Sequence, residues 1–273
     1  MTSEQEDVTG VDLRFSTAEL DAHRDHIVSF IRRTAEDAGT DRAVMGLSGG
    51  VDSSLTAALA VEALGADSLH GLVLPGEVSS RENMSDAERM AQELGVEYDV
   101  IEIDPIVQSF LDAYGEARGD ERAVGNARAR TRAVLNYLVA NHEGGVVLGT
   151  GNRTEALVGY FTKYGDGAVD CHPIGNLYKQ QVRQLASHVG VPEDIVTKPA
   201  TAGLWAGQTD EEELGITYDD LDAILSLHVD GGLPASATAR IAGVPEADVE
   251  RVREMYDRSE HKRGVPPAPD PLA

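Results

Sequence analysis

Seven residues near the start of the chain have the types and the order that a phosphate site needs. Residues 48–54 are S-G-G-V-D-S-S, between a short apolar run and an alanine-rich segment. Glycines let the backbone approach a phosphate closely, while serine hydroxyls and the free amides of a helix start donate hydrogen bonds to it. Asp52 would repel an anion unless a cation such as Mg²⁺ bridged the two. The segment therefore predicts a phosphate site with a divalent cation; a glycine turn followed by a serine helix cap is the alternative.

This segment does not match the commoner nucleotide motifs. It lacks the lysine of G-x-x-x-x-G-K-[ST], and it is not G-x-G-x-x-G. It instead resembles the pyrophosphatase-loop family of ATP-cleaving enzymes, in which S-G-G-x-D-S directly follows the first strand. Those enzymes cut ATP between its α and β phosphates, so the resemblance implies release of pyrophosphate.

Further motifs resemble one branch of that family. Residues 125–132 are G-N-A-R-A-R-T-R, and residues 148–170 are L-G-T-G-N-R-T-E-A-L-V-G-Y-F-T-K-Y-G-D-G-A-V-D. They are followed by P-I-G-N-L-Y-K-Q-Q-V-R at 173–183, P-A-T-A-G-L-W-A-G-Q-T-D-E at 199–211 and H-K-R at 261–263. Together with S-G-G-V-D-S, these segments are similar to the ammonia-dependent NAD synthetase family over nearly the whole chain.

The resemblance implies roles for particular residues of this chain. ATP would contact Gly46, Leu47, Ser48, Gly49, Gly50, Val51, Asp52, Ser53, Thr150, Lys179 and Thr201. Mg²⁺ would be held by Asp52 and Glu155, and catalysis would depend on Asp52 and Lys179. The dinucleotide substrate would contact Arg130, Lys163, Asp170, His261 and Lys262. Three of the four lysines in the chain fall at these places, and an ammonium on a flexible stem suits phosphate oxygens.

Some of these residues also have a plainer interpretation. Arg130 would be a solvated helix residue if R-A-R-T-R formed an exposed face, and Glu155 would be a first-turn glutamate favoured by the helix dipole. His261 and Lys262 would form an ordinary basic helix end. The sequence alone leaves both interpretations open.

The reaction that the resemblance implies joins ammonia to nicotinic acid adenine dinucleotide (deamido-NAD). The nicotinate carboxylate attacks the α phosphorus of ATP, pyrophosphate leaves, and ammonia then displaces AMP from the adenylate to give NAD. Because the substrate and ammonia supply both nucleophiles, the protein needs no Ser-His-Asp triad and acts by positioning and charge neutralisation. Water must be kept from the adenylate, so residues 75–84 and 200–216, rich in turn formers, are lid candidates.

Two other classes of function compete with this interpretation. A GMP synthetase subunit or a tRNA-modifying enzyme would use the same loop, although tandem C-x-x-C pairs and a basic stripe are missing from the sequence. Residues 237–252 have the rhythm of a helix-turn-helix, which is typical of DNA-binding regulators. Few basic residues fall on the would-be recognition helix. The nitrogen donor should be ammonia and not glutamine, because the resemblance occupies the chain; a separate glutaminase could still supply the ammonia.

The elements that must position these residues alternate between strand and helix. A capping box at 16–19 begins a helix, and apolar runs predict strands at 43–47, 69–74, 98–103 and 146–148. Helical patterns lie between them, at 53–64, at 85–94 and in a long stretch that ends at 141. This alternation predicts an α/β fold, a Rossmann-like parallel sheet with helices on both faces, and the resemblance implies the adenine nucleotide alpha hydrolase type. Ligands then bind where the loops after Leu47, Leu74 and Leu148 meet.

We expect one domain over residues 1–273. It would contain a helical lead-in at 1–40, an α/β nucleotide-binding core at 41–200, C-terminal helices at 217–262 and a loosely packed tail at 264–273. The family resemblance implies a homodimer with the dinucleotide near the subunit interface.

Acidic residues outnumber basic ones by 47 to 23, giving a net charge of −24 that is spread along the chain. Such a surface is typical of a haloarchaeal, high-salt cytoplasm, because salt screens its self-repulsion; an ordinary acidic protein is the alternative. The charge disfavours nucleic acid as a partner. No apolar run is long enough for a membrane span and no signal sequence is visible, so we expect a cytoplasmic protein. The one cysteine, Cys171, predicts no disulfide, and any metal should be held by oxygens.

Overall fold

A four-stranded parallel sheet organises the computed structural model, which describes residues 11–76, 79–201 and 209–270. The strands are β1 (Ala43–Gly46), β2 (Leu69–Val73), β3 (Glu97–Val100) and β4 (Val146–Val147). They lie in the order β3-β2-β1-β4, and all three pairings are parallel. The predicted fold class is confirmed.

Helices precede, connect and follow these strands. They are α1 (Thr17–Asp37), α2 (Val51–Leu64), α3 (Arg81–Leu94), α4 (Asp104–Ala113), α5 (Glu121–Glu143), α6 (Arg153–Val158), α7 (Lys179–His188), α8 (Glu193–Val196), α9 (Asp210–Leu214), α10 (Tyr218–Ile224), α11 (Ala235–Ala242), α12 (Glu246–Arg258) and α13 (Glu260–Arg263). Short 3-10 turns cover Ala66–Ser68 and Gly115–Gly119, and a π-helical turn covers Leu225–Asp230.

Alternation along β1 places one apolar core on each face of the sheet. Ala43 and Met45 pack with side chains of α1, α2 and α7, whereas Val44 packs with those of α4 and α5. Successive side chains of a strand point to opposite faces, so a strand that is covered on both sides is apolar at every position. The run A-V-M therefore reflects burial between two helical layers.

Several boundaries differ from the predicted ones, and at α3 and α5 a capping side chain sets the new boundary. α2 begins at Val51 instead of residue 53, and α3 begins at Arg81 instead of residue 85, after Ser80 accepts a hydrogen bond from the Asn83 amide at 3.0 Å. The long helix expected to end at residue 141 is two helices, since Asp120 caps α5 by accepting from the Ala123 amide at 2.9 Å. β3 ends at Val100.

The C-terminal helices form a separate apolar cluster against α6 and α7, as the predicted helical C-terminal segment requires. Tyr218, Leu221 and Ile224 of α10 pack there with Val249 and Val252 of α12. The helix-turn-helix rhythm at 237–252 corresponds to α11, a turn at a left-handed glycine, and α12. The arginines of α12 lie beside carboxylates of the same helix, which leaves little free positive charge on that surface.

Parts of both lid candidates, residues 77–78 and 202–208, and the end of the predicted tail, 271–273, lie outside the described residues. Within the described ranges, no helix is both long enough and apolar enough to cross a bilayer.

Candidate active site

The predicted phosphate loop joins β1 to α2 and is organised by its own serines. The Ser53 hydroxyl accepts a hydrogen bond from the Ser48 amide at 3.3 Å and lies 3.0 Å from the Ser48 hydroxyl. Gly50 is the N-cap of α2 and has no side chain to cap it. A helix start without a capping side chain can direct its first amides at an anion.

Gly49 is required by the backbone of this loop. Its φ is +76°, and a Cβ added there would lie 2.1 Å from the carbonyl oxygen of Asn83 in α3. Any other residue would be strained in this left-handed conformation and would collide with α3. Gly46 and Leu47, at the base of the loop, continue the sheet, since the Leu47 amide donates to the Leu72 carbonyl at 2.8 Å, and Val51 is buried.

An ion-pair cluster lies beside the loop. The ammonium of Lys179, at the start of α7, is 2.5 Å from Oδ2 of Asp52 in α2 and 3.4 Å from Oε1 of Glu155 in α6. The three residues come from three helices that meet at one place, and all three were predicted to be at the site. The Lys179 side chain is 2% exposed, whereas those of Asp52 and Glu155 are 19% and 18% exposed.

The charges of this cluster perturb one another. Burial lowers the pKa of Lys179, but the carboxylates of Asp52 and Glu155 more than offset this and raise it above its ordinary value. Burial raises the pKa of Glu155 to about 8; Lys179 lowers it only in part, and Asp52 adds to the rise. Glu155 therefore holds a proton more readily than an exposed glutamate does.

Asn152 fixes both carboxylates and was not predicted. Its Nδ2 donates to Asp52 Oδ1 at 2.9 Å, and its Oδ1 accepts from the Glu155 amide at 3.0 Å. Glu155 Oε2 accepts in turn from the Asn152 amide at 3.3 Å, which completes a capping box. Glu155 is thus both the first-turn helix residue of the plainer interpretation and a member of the cluster. The N-x-x-E spacing was a sequence signal for Asn152.

Asp222 and Thr154 hold the start of α7 and were also not predicted. The Thr154 hydroxyl accepts from the Lys179 amide at 3.0 Å and donates to Asp222, whose Oδ2 accepts from the Gln180 amide at 2.9 Å. Both side chains are buried, and burial raises the pKa of Asp222 to about 6. Helical spacing from Tyr218 and Leu221 puts Asp222 on the buried face of α10, but no motif indicates that it contacts the start of α7.

A second set of predicted residues forms a continuous chain of contacts. Nε and Nη2 of Arg130 donate to the Lys163 carbonyl at 3.3 and 3.2 Å, and the Lys163 ammonium donates to the carbonyl of His261. The Lys262 ammonium donates to the carbonyls of Gly159 and Phe161 at 2.7 and 2.8 Å. These cations are held by neutral carbonyls and keep their net charge. Burial lowers the pKa of Lys262.

Asp170 lies apart from that chain of contacts. Its Oδ2 accepts from the Val147 amide at 2.7 Å, and its Oδ1 accepts from the Tyr137 hydroxyl at 3.1 Å. The carboxylate therefore closes the free edge of β4. Thr150 is half-buried in the loop after β4, and Thr201 is exposed beside the undescribed segment 202–208.

Within the described ranges, no group of three or more acidic, histidine or cysteine side chains is arranged to hold a metal. Burial raises the pKa of the Cys171 thiol to about 11, so this thiol stays protonated.

Comparison with known proteins gives consistent matches over most of the chain. A family model described as NAD synthase matches residues 24–266. The chain is 65% identical over 262 residues to the NH(3)-dependent NAD(+) synthetase of Halobacterium salinarum, covering 96% of this chain and 98% of that protein.

Two solved structures are also similar. An NMN synthetase from Francisella tularensis superimposes with a TM-score of 0.81 at 35% identity, covering 94% of this chain and 100% of that one. An NH3-dependent NAD synthetase from Campylobacter jejuni superimposes with a TM-score of 0.78 at 25% identity, with the same coverage.

Proposed function

This chain belongs to the NAD synthase family, and we propose that the cluster of Asp52, Glu155 and Lys179 is where it activates a nicotinate carboxylate with ATP. The reaction is the ATP-dependent amidation of deamido-NAD by ammonia, which makes the chain a ligase of NAD biosynthesis that forms a carbon–nitrogen bond. The observation that carries the assignment is the buried Lys179 ammonium, 2.5 Å from Asp52 at the end of the phosphate loop.

The chemistry needs no nucleophile from the protein. The nicotinate carboxylate attacks the α phosphorus, pyrophosphate leaves, and ammonia displaces AMP from the adenylate. Lys179 neutralises charge on the phosphates, and Ser48, Ser53 and the first amides of α2 donate hydrogen bonds to them. Thr150 and Thr201 supply further contacts to ATP. Because these groups are fixed before ATP binds, little reorganisation is needed during the reaction.

The carboxylates of Asp52 and Glu155 are suitable ligands for Mg²⁺. Among the described residues they supply only part of its coordination. Mg²⁺ is ordinarily held by one or two carboxylates together with substrate phosphates, so a cluster with only two carboxylates fits. Burial is the main cause of the raised pKa of Glu155, and the neighbouring Asp52 carboxylate adds to it. A cation bound between the two carboxylates would favour their charged forms. When bound, Mg²⁺ would neutralise the polyphosphate of ATP.

The dinucleotide is assigned to Arg130, Lys163, His261 and Lys262. Support comes from the geometry of Arg130, Lys163 and Lys262, because cations held by carbonyls keep their charge for the phosphates of a ligand. His261 joins this set through its carbonyl, which accepts from Lys163. Asp170 is assigned to the dinucleotide as well, but its capacity to bind a ligand is limited, since each of its oxygens already accepts one hydrogen bond. Its remaining lone pairs can accept from a hydroxyl or an amide of the ligand.

A mononucleotide is the rival substrate, because the similar Francisella tularensis structure is that of an NMN synthetase. The same carboxylate chemistry would then act on a ligand without the adenylate half. The rival predicts that the outer cations, Lys163 and Lys262, contribute little to binding.

A homodimer is proposed from the exposed face of α5. Val134 and Leu138 are 65% and 61% exposed and lie one helical turn apart, with Arg130 one turn before them. Large apolar side chains on an exposed helix face mark a surface that another chain covers. A dimer formed there would place the Arg130 contacts close to its interface.

We also propose that the protein works in a high-salt cytoplasm, without nucleic acid or membrane partners. Support comes from the net charge of −24 and from the haloarchaeal relative.

The assay that tests this function incubates the chain with ATP, Mg²⁺ and ammonium and offers deamido-NAD or nicotinate mononucleotide in parallel. The proposal expects NAD from the dinucleotide at a much higher kcat/KM than the mononucleotide amide from its precursor. A preference for the mononucleotide would transfer the activity to the rival, and no amide from either would reject both. With ammonia-free glutamine in place of ammonium, we expect no product.

A further inference from the structure

Arg132 is a half-buried cation without a carboxylate partner among the described residues. Its Nε donates to the Leu74 carbonyl at 3.0 Å, and no acidic side chain of the described ranges forms an ion pair with it. The residue is partly exposed, and its terminal nitrogens form no hydrogen bond with the described residues. One edge of the guanidinium is therefore tethered, and the other is open.

Arg132 lies at the same edge of the sheet as the phosphate loop. Leu74 directly follows β2, and the β2 carbonyl of Leu72 accepts from the first loop amide, that of Leu47. One helical turn beyond Arg132, Asn136 packs against the loop base, where a Cβ on Gly46 would lie 3.7 Å from Nδ2. α5 thus places Arg132 at the carboxyl edge of the sheet between β1 and β2.

Arg132 and Arg130 serve different sides of α5. Residues two apart on an α-helix are rotated by roughly 200°, so the two guanidinium groups leave the helix in nearly opposite directions. Arg130 contacts the Lys163 carbonyl, on the side assigned to the dinucleotide. Arg132 contacts the end of β2, on the side of the ATP loop.

The charge at this position needs an explanation. Burial lowers the pKa of Arg132, and Arg128 lowers it further, while Asp166 and Asp104 act in the opposite direction without forming an ion pair with it. An arginine stays protonated under such perturbation, so the half-buried position costs solvation without an ion pair in return. In a chain with 47 acidic residues, an arginine at a binding edge that has no ion pair among the described residues fits an anionic ligand.

We propose that Arg132 is a further ATP-binding residue, with its open edge donating to phosphate oxygens. The inference rests on the proposed function, because it takes ATP to be the ligand at this edge. The planar fork of a guanidinium matches two phosphate oxygens at once, which the ammonium of Lys179 cannot do. Arg132 would then hold the phosphates from the α5 side while Lys179 holds them from α7.

The test measures equilibrium binding of ATP and of adenosine to the full chain at molar salt. Arg132→Gln should raise the Kd for ATP by about tenfold or more, as expected for loss of a charge-assisted hydrogen bond, and leave the Kd for adenosine unchanged. Arg240→Gln, which removes an exposed arginine from α11, should change neither. Arg132→Lys should lose less ATP affinity than Arg132→Gln.

Two outcomes would overturn the inference. An unchanged Kd for ATP in Arg132→Gln would show that the guanidinium does not contact the phosphates. An equal loss of ATP and adenosine binding would indicate a purely structural role or a contact with the base or ribose. Thermal melts of the variants guard against misfolding, and Arg132→Lys supplies the comparison if the glutamine variant unfolds.

The result is separable from the fate of the proposed function. Phosphate-dependent loss of binding in a chain that makes no NAD would leave Arg132 assigned and reject the reaction. Normal NAD formation with normal ATP binding in Arg132→Gln would support the reaction and reject the role of Arg132.

Discussion

The Lys179 ammonium lies 2.5 Å from Asp52 Oδ2, although the two residues are 127 positions apart in the chain. The contact joins the start of α7 to the first turn of α2, at the end of the phosphate loop. Asn152 holds the other oxygen of Asp52, so the carboxylate is fixed from two sides. A fixed ion pair beside free helix amides is an arrangement for positioning a polyphosphate.

Mutations in the ion-pair cluster and mutations of the carbonyl-held cations should affect different kinetic constants. Asp52→Asn and Glu155→Gln should stop adenylate formation even at saturating deamido-NAD. These variants lose a carboxylate that is proposed to hold Mg²⁺, and Mg²⁺ is the counter-ion of the polyphosphate. A thousandfold loss of kcat corresponds to about 4 kcal/mol of transition-state stabilisation. Lys163→Ala should instead raise the KM for deamido-NAD more than the KM for ATP. Near-normal turnover in Asp52→Asn, or a Lys163→Ala effect confined to ATP, would refute this division of roles.

The buried carboxyl of Asp222 should lower the stability of the fold as pH rises, although it anchors the start of α7. An aspartate of the unfolded chain titrates near 3.8, whereas burial raises the pKa of Asp222 to about 6. As pH rises between these values, the unfolded carboxyl releases its proton first, so folding becomes less favourable. The full cost, about 3 kcal/mol, is reached above pH 6.

The measurement compares the free energies of unfolding of the wild type and Asp222→Asn between pH 4 and pH 7 at fixed molar salt. Their difference should move in favour of the variant by about 2 kcal/mol as pH rises across this range, because a small part of the cost is already present at pH 4. At pH 7 the variant should nevertheless have a lower kcat, since α7 and Lys179 lose an anchor. Asp219→Asn, an exposed change on the same helix, is the control. A stability difference that does not vary with pH would contradict the account.

How much of this site could be predicted from the sequence depends on how local its contacts are. The loop S-G-G-V-D-S and the capping box at Ser16 are set by neighbouring residues, and both form where the pattern places them. Asn152 could have been predicted from the sequence, because N-x-x-E is a local capping signal. The contact of Asp222 could not have been predicted, since its hydrogen bond to the Gln180 amide spans 42 residues. Its own segment, Y-D-D-L-D, has the composition of an exposed acidic helix.

Arg130 and Arg132 show the same limit within one motif. R-A-R-T-R contains three similar side chains, and only the facing of α5 against the sheet decides which one meets the strand ends. That facing follows from the packing of Val44, Leu135 and Val147, which no local pattern encodes. The alternation of strands and helices predicted a parallel sheet, but it did not predict the order of the strands.

Stability should fall as salt is diluted. The net charge of −24 repels itself, and the screening length grows from about 3 Å at 1 M salt to about 30 Å at 0.01 M. Melting temperatures across this range should therefore decrease with dilution, and activity should need molar salt. A melting temperature that stays flat or rises on dilution would remove the halophilic assignment.

The exposed face of α5 should control assembly. Leu138→Asp introduces a charge into the proposed apolar interface and should shift the chain from dimer to monomer in light scattering, with a higher KM for deamido-NAD. Val265→Asp, at a position that is 89% exposed outside any helix, should leave the dimer intact. A monomeric wild type, or a dimer that tolerates Leu138→Asp, would reject this surface.

The most direct test of the central claim follows the carboxylate oxygens. With deamido-NAD labelled by ¹⁸O in the nicotinate carboxylate, attack on the α phosphorus transfers one labelled oxygen to AMP, and the other stays in the amide of NAD. We predict that mass spectrometry finds AMP with one ¹⁸O and unlabelled pyrophosphate, in amounts equal to the NAD formed. Unlabelled AMP, or ADP and phosphate as the products, would contradict activation of the carboxylate at the α phosphorus.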